Sequence, residues 1–165
     1  MYDVTIRQLP QRAVFELQGQ QDRLREWCTD LSLTWPDAPC AFTTTADTHL
    51  LWIGPTRWLL LAPLPEEVNL SRALRFDHVP DDISIVTLSD TLTFFDLSGP
   101  DVMDVFAVAS PLDLMAPETP KPLATWTEAF GQKALVRRTQ DGVELGVDRS
   151  FGPMVQDYWD RILSN

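Results

Sequence analysis

The 165 residues fit a single domain, and a globule of this length buries about 70% of the surface its unfolded chain exposes, enough for a sizeable core. A hydrophobic content of 44% and a charged content of 22% are ordinary for a globular chain, and the 13 prolines are too scattered to form a low-complexity tract, so disorder is excluded. The formal net charge of −11 comes without the clustered lysine and arginine that phosphate neutralisation requires, which excludes a nucleic-acid partner.

The opening MYDVTIRQLPQR shows no long apolar stretch behind a basic end, so neither a signal nor a transit peptide is read, and the expected compartment is the cytoplasm. In RAVFELQ, residues 12–18, Ala13, Phe15 and Leu17 fall on one side with Glu16 and Gln18 among the others, the period of a half-buried strand. QQDRLREWCTDL, residues 20–31, then brings Leu24, Trp27, Cys28 and Leu31 onto one helical face. Cys28 and Cys40 lack the close spacing of a redox or zinc motif and are read as buried or incidental thiols.

LLWIGPTRWLLLAP, residues 50–63, reads as two short strands turning at Gly54-Pro55-Thr56. Each arm is far shorter than the roughly 20 apolar residues of a membrane helix, so no membrane partner is expected. ISIVTLSDTLTFFDLSGP suggests a second strand pair, 83–88 and 91–97, bent at Ser89-Asp90. A helix is expected over 100–109, with Pro100 in its first turn, Asp101 facing its N-terminus, and Val102, Val105, Phe106 and Ala109 on one stripe. KALVRR, 133–138, and VELGVD, 143–148, flank the turn Asp141-Gly142. Ser150 fits an N-cap for a last helix whose apolar face is Phe151, Met154, Val155, Tyr158, Trp159 and Ile162.

These elements describe one α+β domain over 1–165, with mostly antiparallel sheets and three main helices. The β-α-β-β string recurs with strands 91–97, 133–138 and 143–148, which hints at an internal duplication. Charge is uneven along the chain: residues 66–118 hold 11 acidic and 2 basic side chains, against 7 and 5 in residues 1–65 and 6 and 6 in residues 119–165.

Chemistry is sparse. Nucleotide-loop, nucleophile-elbow and zinc-protease signatures are missing, and His49 and His78 have no thiol or carboxylate neighbours at metal-ligand spacing. Asp77, His78, Asp81 and Asp82 could form a metal corner but read better as a solvated loop, as do Arg57, Arg137 and Arg138 as solvent-face or interface arginines. Six tryptophans could stack a pterin or flavin; Trp27, Trp52, Trp58 and Trp159 fall on core stripes, leaving Trp35 and Trp126 freer.

WIGPTRWLLLAP at 52–63, VTLSDTLTFFDLSGPDVMDVFAVASPLDL at 86–114 and LGVDRSFGPMVQDYW at 145–159, in that succession, resemble the gamma subunit of heterotetrameric sarcosine oxidase, a family allied to the folate-binding aminomethyltransferase fold. The resemblance implies alpha, beta and delta-like partner subunits that carry FAD, FMN, NAD, zinc and tetrahydrofolate. It implies a complex that demethylates sarcosine to glycine, reduces oxygen to peroxide and passes the one-carbon unit to tetrahydrofolate. It implies a non-catalytic assembly role for this chain, with no cofactor of its own. No position matches a catalytic, cofactor-binding or metal residue, so none is assigned. The alternatives are a stand-alone small folate-binding or one-carbon-transfer protein, and a domain that keeps the fold without either role.

Overall fold

In the computed structural model, residues 2–119 and 121–164 are described; they form ten strands and four α-helices. The chain divides into two compact units, Gln11–Ser89 and Met1–Pro10 with Asp90–Asn165. The first strand, β1 (Thr5–Gln8), belongs to the second of these.

In the Gln11–Ser89 unit the elements are β2 (Arg12–Gln18), α1 (Gln21–Trp27), β3 (Phe42–Thr45), β4 (Thr48–Gly54), β5 (Arg57–Pro63), α2 (Glu67–Leu74) and β6 (Ser84–Thr87). They build an antiparallel sheet in the order β3-β4-β5-β2-β6. The leucine-rich β4–β5 hairpin brings Trp52 opposite Trp58 and Leu50 opposite Leu60. One core gathers Ala13, Phe15, Leu17, Leu50, Trp58, Leu60 and Ala62 from the strands with Leu24, Leu70 and Leu74 from the helices. Leu59 and Leu61, on the opposite face of β5, are also fully buried, which explains why this strand reads as an unbroken apolar run.

The second unit continues with β7 (Leu92–Ser98), α3 (Val102–Ala109), β8 (Leu123–Ala129), β9 (Gln132–Arg138), β10 (Gly142–Asp148) and α4 (Gly152–Ser164). Its antiparallel sheet runs β1-β7-β10-β9-β8. The stripe expected on α3 is buried as Val102, Val105, Phe106 and Ala109, and α4 buries Val155 and Trp159.

The duplication runs deeper than the β-α-β-β string. β2-α1-β3-β4-β5-α2-β6 in one unit matches β7-α3-β8-β9-β10-α4 in the other, and the two strand orders superpose when β1 fills the place of β6. From β5 onward even the spacing agrees. A seven-residue strand, a three-residue 3₁₀ turn (Leu64–Glu66 or Arg149–Phe151) and a helix follow one another without a gap in both units.

Several sequence expectations are corrected. β6 and β7 are not a hairpin pair: β6 pairs with β2 and β7 with β1 and β10, in different sheets. Ser89 holds its end of the chain to the Gln11–Ser89 unit, its Oγ accepting from Val14 N at 3.0 Å and its carbonyl from Gln11 Nε2 at 3.2 Å. Helix α3 begins at Val102 rather than 100, and the helix expected at 20–31 is α1 followed by a 3₁₀ turn, Thr29–Leu31. Ser150 is not the N-cap of the last helix. Asp148 caps the 3₁₀ turn by accepting from Ser150 N at 2.9 Å, and α4 starts at Gly152. A fourth helix, α2, and three strands, β1, β3 and β8, join the expected elements.

Candidate functional site

In the second unit, strand register lines up Arg7, Asp96, Glu144 and Arg137 across β1, β7, β10 and β9, ending at Ala124 on β8. Because side chains alternate along a strand, paired residues share one sheet face, so this is a single row of charges ordered plus, minus, minus, plus. Arg7 Nη2 lies 2.9 Å from Asp96 Oδ2, and Arg137 Nη2 lies 2.9 Å from Glu144 Oε2. The outer pair is open to solvent at Arg7, whereas Arg137 and Glu144 are buried. Arg137 is therefore a core partner and not a solvent-face arginine. Arg138 donates to the Leu114 carbonyl, tying the segment before β8 to β9.

In the Gln11–Ser89 unit the aromatic side chains and arginines interlock. The Arg75 guanidinium sits 3.9 Å above the Trp27 ring and donates to the Trp27 carbonyl at 2.7 Å. Trp27 Nε1 in turn donates to the Leu74 carbonyl at 2.8 Å, so the end of α2 is latched onto α1. Trp35 is not free: it meets Trp58 edge-on at 5.6 Å, and Trp58 stacks on Trp52 at 5.9 Å. Trp126, on β8, lies under the Lys133 ammonium at 4.4 Å. Arg57 chelates Glu16 through contacts of 2.8 to 3.1 Å, a strand-to-strand brace.

Two hollows open beside α1. One, of about 370 Å³, is lined by Arg25, Cys28, Thr29, Ser32, Leu33 and Trp35. The other, of about 330 Å³, is lined by Arg23, Glu26, Trp27, Arg75, Pro80 and Ile83. The first hollow has no acidic lining residue, and in the second Glu26 is taken by Arg23. Burial pushes the Cys28 thiol up to about 11, so it stays protonated and is no nucleophile at neutral pH.

The supposed metal corner is dispersed. Asp82 binds Arg23 at 2.8 Å, and that hydrogen bond holds its carboxyl below the usual carboxylate range. Asp77 and His78 occupy the 3₁₀ turn Phe76–His78, and His49 Nδ1 meets Thr44 Oγ1 at 2.9 Å. Among the described residues no group of three or more His, Cys, Asp or Glu side chains could hold a metal ion.

The acidic stretch 66–118 spans both units, and much of it has local work. Asp96 pairs with Arg7 and Asp90 with Arg149; Asp101 Oδ2 accepts from Asp3 N at 2.8 Å, and Asp113 Oδ1 accepts from Met115 N at 2.8 Å. Glu67, Asp77, Asp81 and Asp104 have no ion pair among the described residues. Composition alone cannot separate these two groups, because it carries no information about local partners. Among the described residues no helix is long and apolar enough to cross a membrane.

A family model described as "Sarcosine oxidase, gamma subunit family" matches residues 29–163, well over half of the chain. A heterotetrameric sarcosine oxidase from Corynebacterium sp. U-96, solved in complex with pyrrole 2-carboxylate, contains a chain similar to this one in structure, with a TM-score of 0.83 at 21% identity over 98% of this chain and 84% of that one. The glycine cleavage system aminomethyltransferase T from Bartonella henselae gives a TM-score of 0.69 at 13% identity, covering 95% of this chain but only 45% of its own. At these identities both likenesses concern the fold. The search of curated proteins gives no match.

Proposed function

We propose, from the premise that the chain belongs to the sarcosine oxidase gamma subunit family, that it serves as a non-catalytic assembly subunit of a sarcosine-oxidase-like complex. The single observation that carries this reading is the family match over residues 29–163. In this reading the alpha, beta and delta-like partners hold FAD, FMN, NAD and tetrahydrofolate. The complex oxidises sarcosine, reduces oxygen to peroxide, releases glycine and passes the one-carbon unit to tetrahydrofolate, and it works in the cytoplasm.

The latch of Arg75 and Trp27 between α1 and α2 supports a scaffold, since general acid-base chemistry needs groups that can reach a substrate. Co-purification from the native host with flavin-bearing subunits is the deciding experiment, alongside sarcosine-dependent peroxide formation by the pure chain. Turnover by the chain alone would end the reading.

A stand-alone folate-binding role has one observation in its favour, the aminomethyltransferase-like fold. Fold does not carry function by itself. A saturating folate would raise stability by about 2.7 kcal/mol at a hundredfold excess over its Kd, and a clear upward shift of Tm with tetrahydrofolate would favour that role. We also propose that both units act as one gamma-like domain over 1–165, for which calorimetry should give a single cooperative transition.

A further inference from the structure

The 3₁₀ turn Leu64–Glu66 and the start of α2 expose large apolar side chains where the fold does not require them. Val68 is 66% exposed and Leu64 37%. Leu64 opens the 3₁₀ turn and Val68 lies in the first turn of α2, with exposed Pro63 and Pro65 beside Leu64. The prolines stiffen this shoulder, so little conformational entropy is lost when something covers it.

The duplicated topology provides an internal comparison. In the other unit the same place after β10 carries Arg149 where Leu64 stands. Asp148 there binds Ser150 N at 2.9 Å, and Arg149 lies 3.5 Å from Asp90. That turn also exposes an apolar residue, Phe151, to 37%, but it carries a side-chain cap; the Leu64–Glu66 turn has none and is followed by Val68 at 66%.

Acid borders the apolar shoulder. Glu66 bonds Asn69 at 3.2 Å, and Glu67 has no ion pair among the described residues. An exposed apolar patch with a charged rim is the anatomy of a docking surface, and its complement is apolar with a rim of opposite sign.

We infer that the Leu64–Pro65–Val68 shoulder, with Glu66 and Glu67, docks on a partner subunit whose facing surface is apolar and bordered by lysine or arginine. This rests on the assembly role proposed above. Asp82 and Asp101, whose carboxylates are already engaged, lie outside it.

The test uses the full chain and the remaining subunits of the complex, with association followed by surface plasmon resonance. Replacing Leu64→Ser together with Val68→Ser should weaken association at least about tenfold, the loss expected of central apolar anchors, and Val68→Ser alone, at a side chain 66% exposed, should weaken it with Tm unchanged. Replacing Glu66→Lys with Glu67→Lys should slow association several-fold at low salt, and the difference should shrink as salt screens the rim. Asp104→Lys, on α3, should change neither. Assembly of both double variants at the wild-type rate and affinity would overturn the docking surface while leaving the assembly role standing. A wild-type chain that binds none of the subunits would overturn both.

Discussion

Arg137 and Glu144 face each other across β9 and β10 with Nη2 and Oε2 2.9 Å apart and less than a tenth of either residue exposed. Removing one partner leaves the other's charge buried, which costs about 3–5 kcal/mol, whereas an apolar pair of similar volume is often neutral or better. Glu144→Gln should therefore lower urea stability by about 3 kcal/mol. Arg137→Met with Glu144→Leu should recover most of that loss. Equal losses for the single and double variants would show that the pair is required as ions.

Phe130 closes the β8–β9 turn at φ +50°, with its ring centroid 4.6 Å from that of Trp159 and 4.9 Å from that of Tyr158. Its N–H donates to the Ala109 carbonyl at 2.8 Å, so one residue ties the turn to α3 and α4. Phe130→Ala should cost about 2 kcal/mol through the lost ring contacts, below the range for a fully buried aromatic because Phe130 is only half-buried. Phe130→Asn should be somewhat milder, because asparagine tolerates the left-handed backbone. Matching losses for the two variants in thermal denaturation would assign the whole effect to the rings.

Cys28 predicts a pH dependence. Its thiol pKa rises to about 11 in the folded chain, through burial first, with Arg75 opposing. In the unfolded chain it titrates near about 8.5. A raised folded pKa means that the contribution is intact below the unfolded value and is lost as pH climbs through the folded one, so stability should fall between about pH 8.5 and 11. Cys28→Ser should flatten that decline relative to wild type. At pH 8, Ellman's reagent should modify the half-buried Cys40 in the native protein before Cys28.

Gly142 is needed for space. A Cβ there would lie 1.9 Å from the Leu97 carbonyl oxygen, a backbone atom of the neighbouring strand that cannot swing away. Gly142→Ala should destabilise by about 3 kcal/mol, at the upper end for overpacking, and should broaden the amide resonances of β7 and β10. Gly131, whose added Cβ would meet nothing within 4 Å, is the control for position, although its φ of +74° still favours glycine. Equal losses at Gly131 and Gly142 would show that the crowding against Leu97 is not what matters.

Local periodicity in the sequence determined the strands at 12–18, 133–138 and 143–148, the apolar hairpin at 50–63 and the stripes of α3 and α4, because those segments bury one face or a continuous run and so record their surroundings in their own composition. The three segments that carried the family resemblance lie in or beside these same elements. β3 (FTTT) and β8 (LATWTEA) are edge strands, each paired on one side only, so little burial pattern is written into them. Helix α2 is short, with only Leu70 and Leu74 buried. A turn near Asp141-Gly142 was legible, but the bend falls at Gln140-Asp141 with Gly142 already in β10, and the reason for the glycine, the Leu97 carbonyl, lies on a strand distant in sequence. Tertiary structure alone decided that β1 pairs with β7, that β6 and β7 part into different sheets, and which carboxylates find arginines. Each of these depends on partners far apart in the chain, and hydrogen-bond pairing and charge contact leave no local period for a sequence to show.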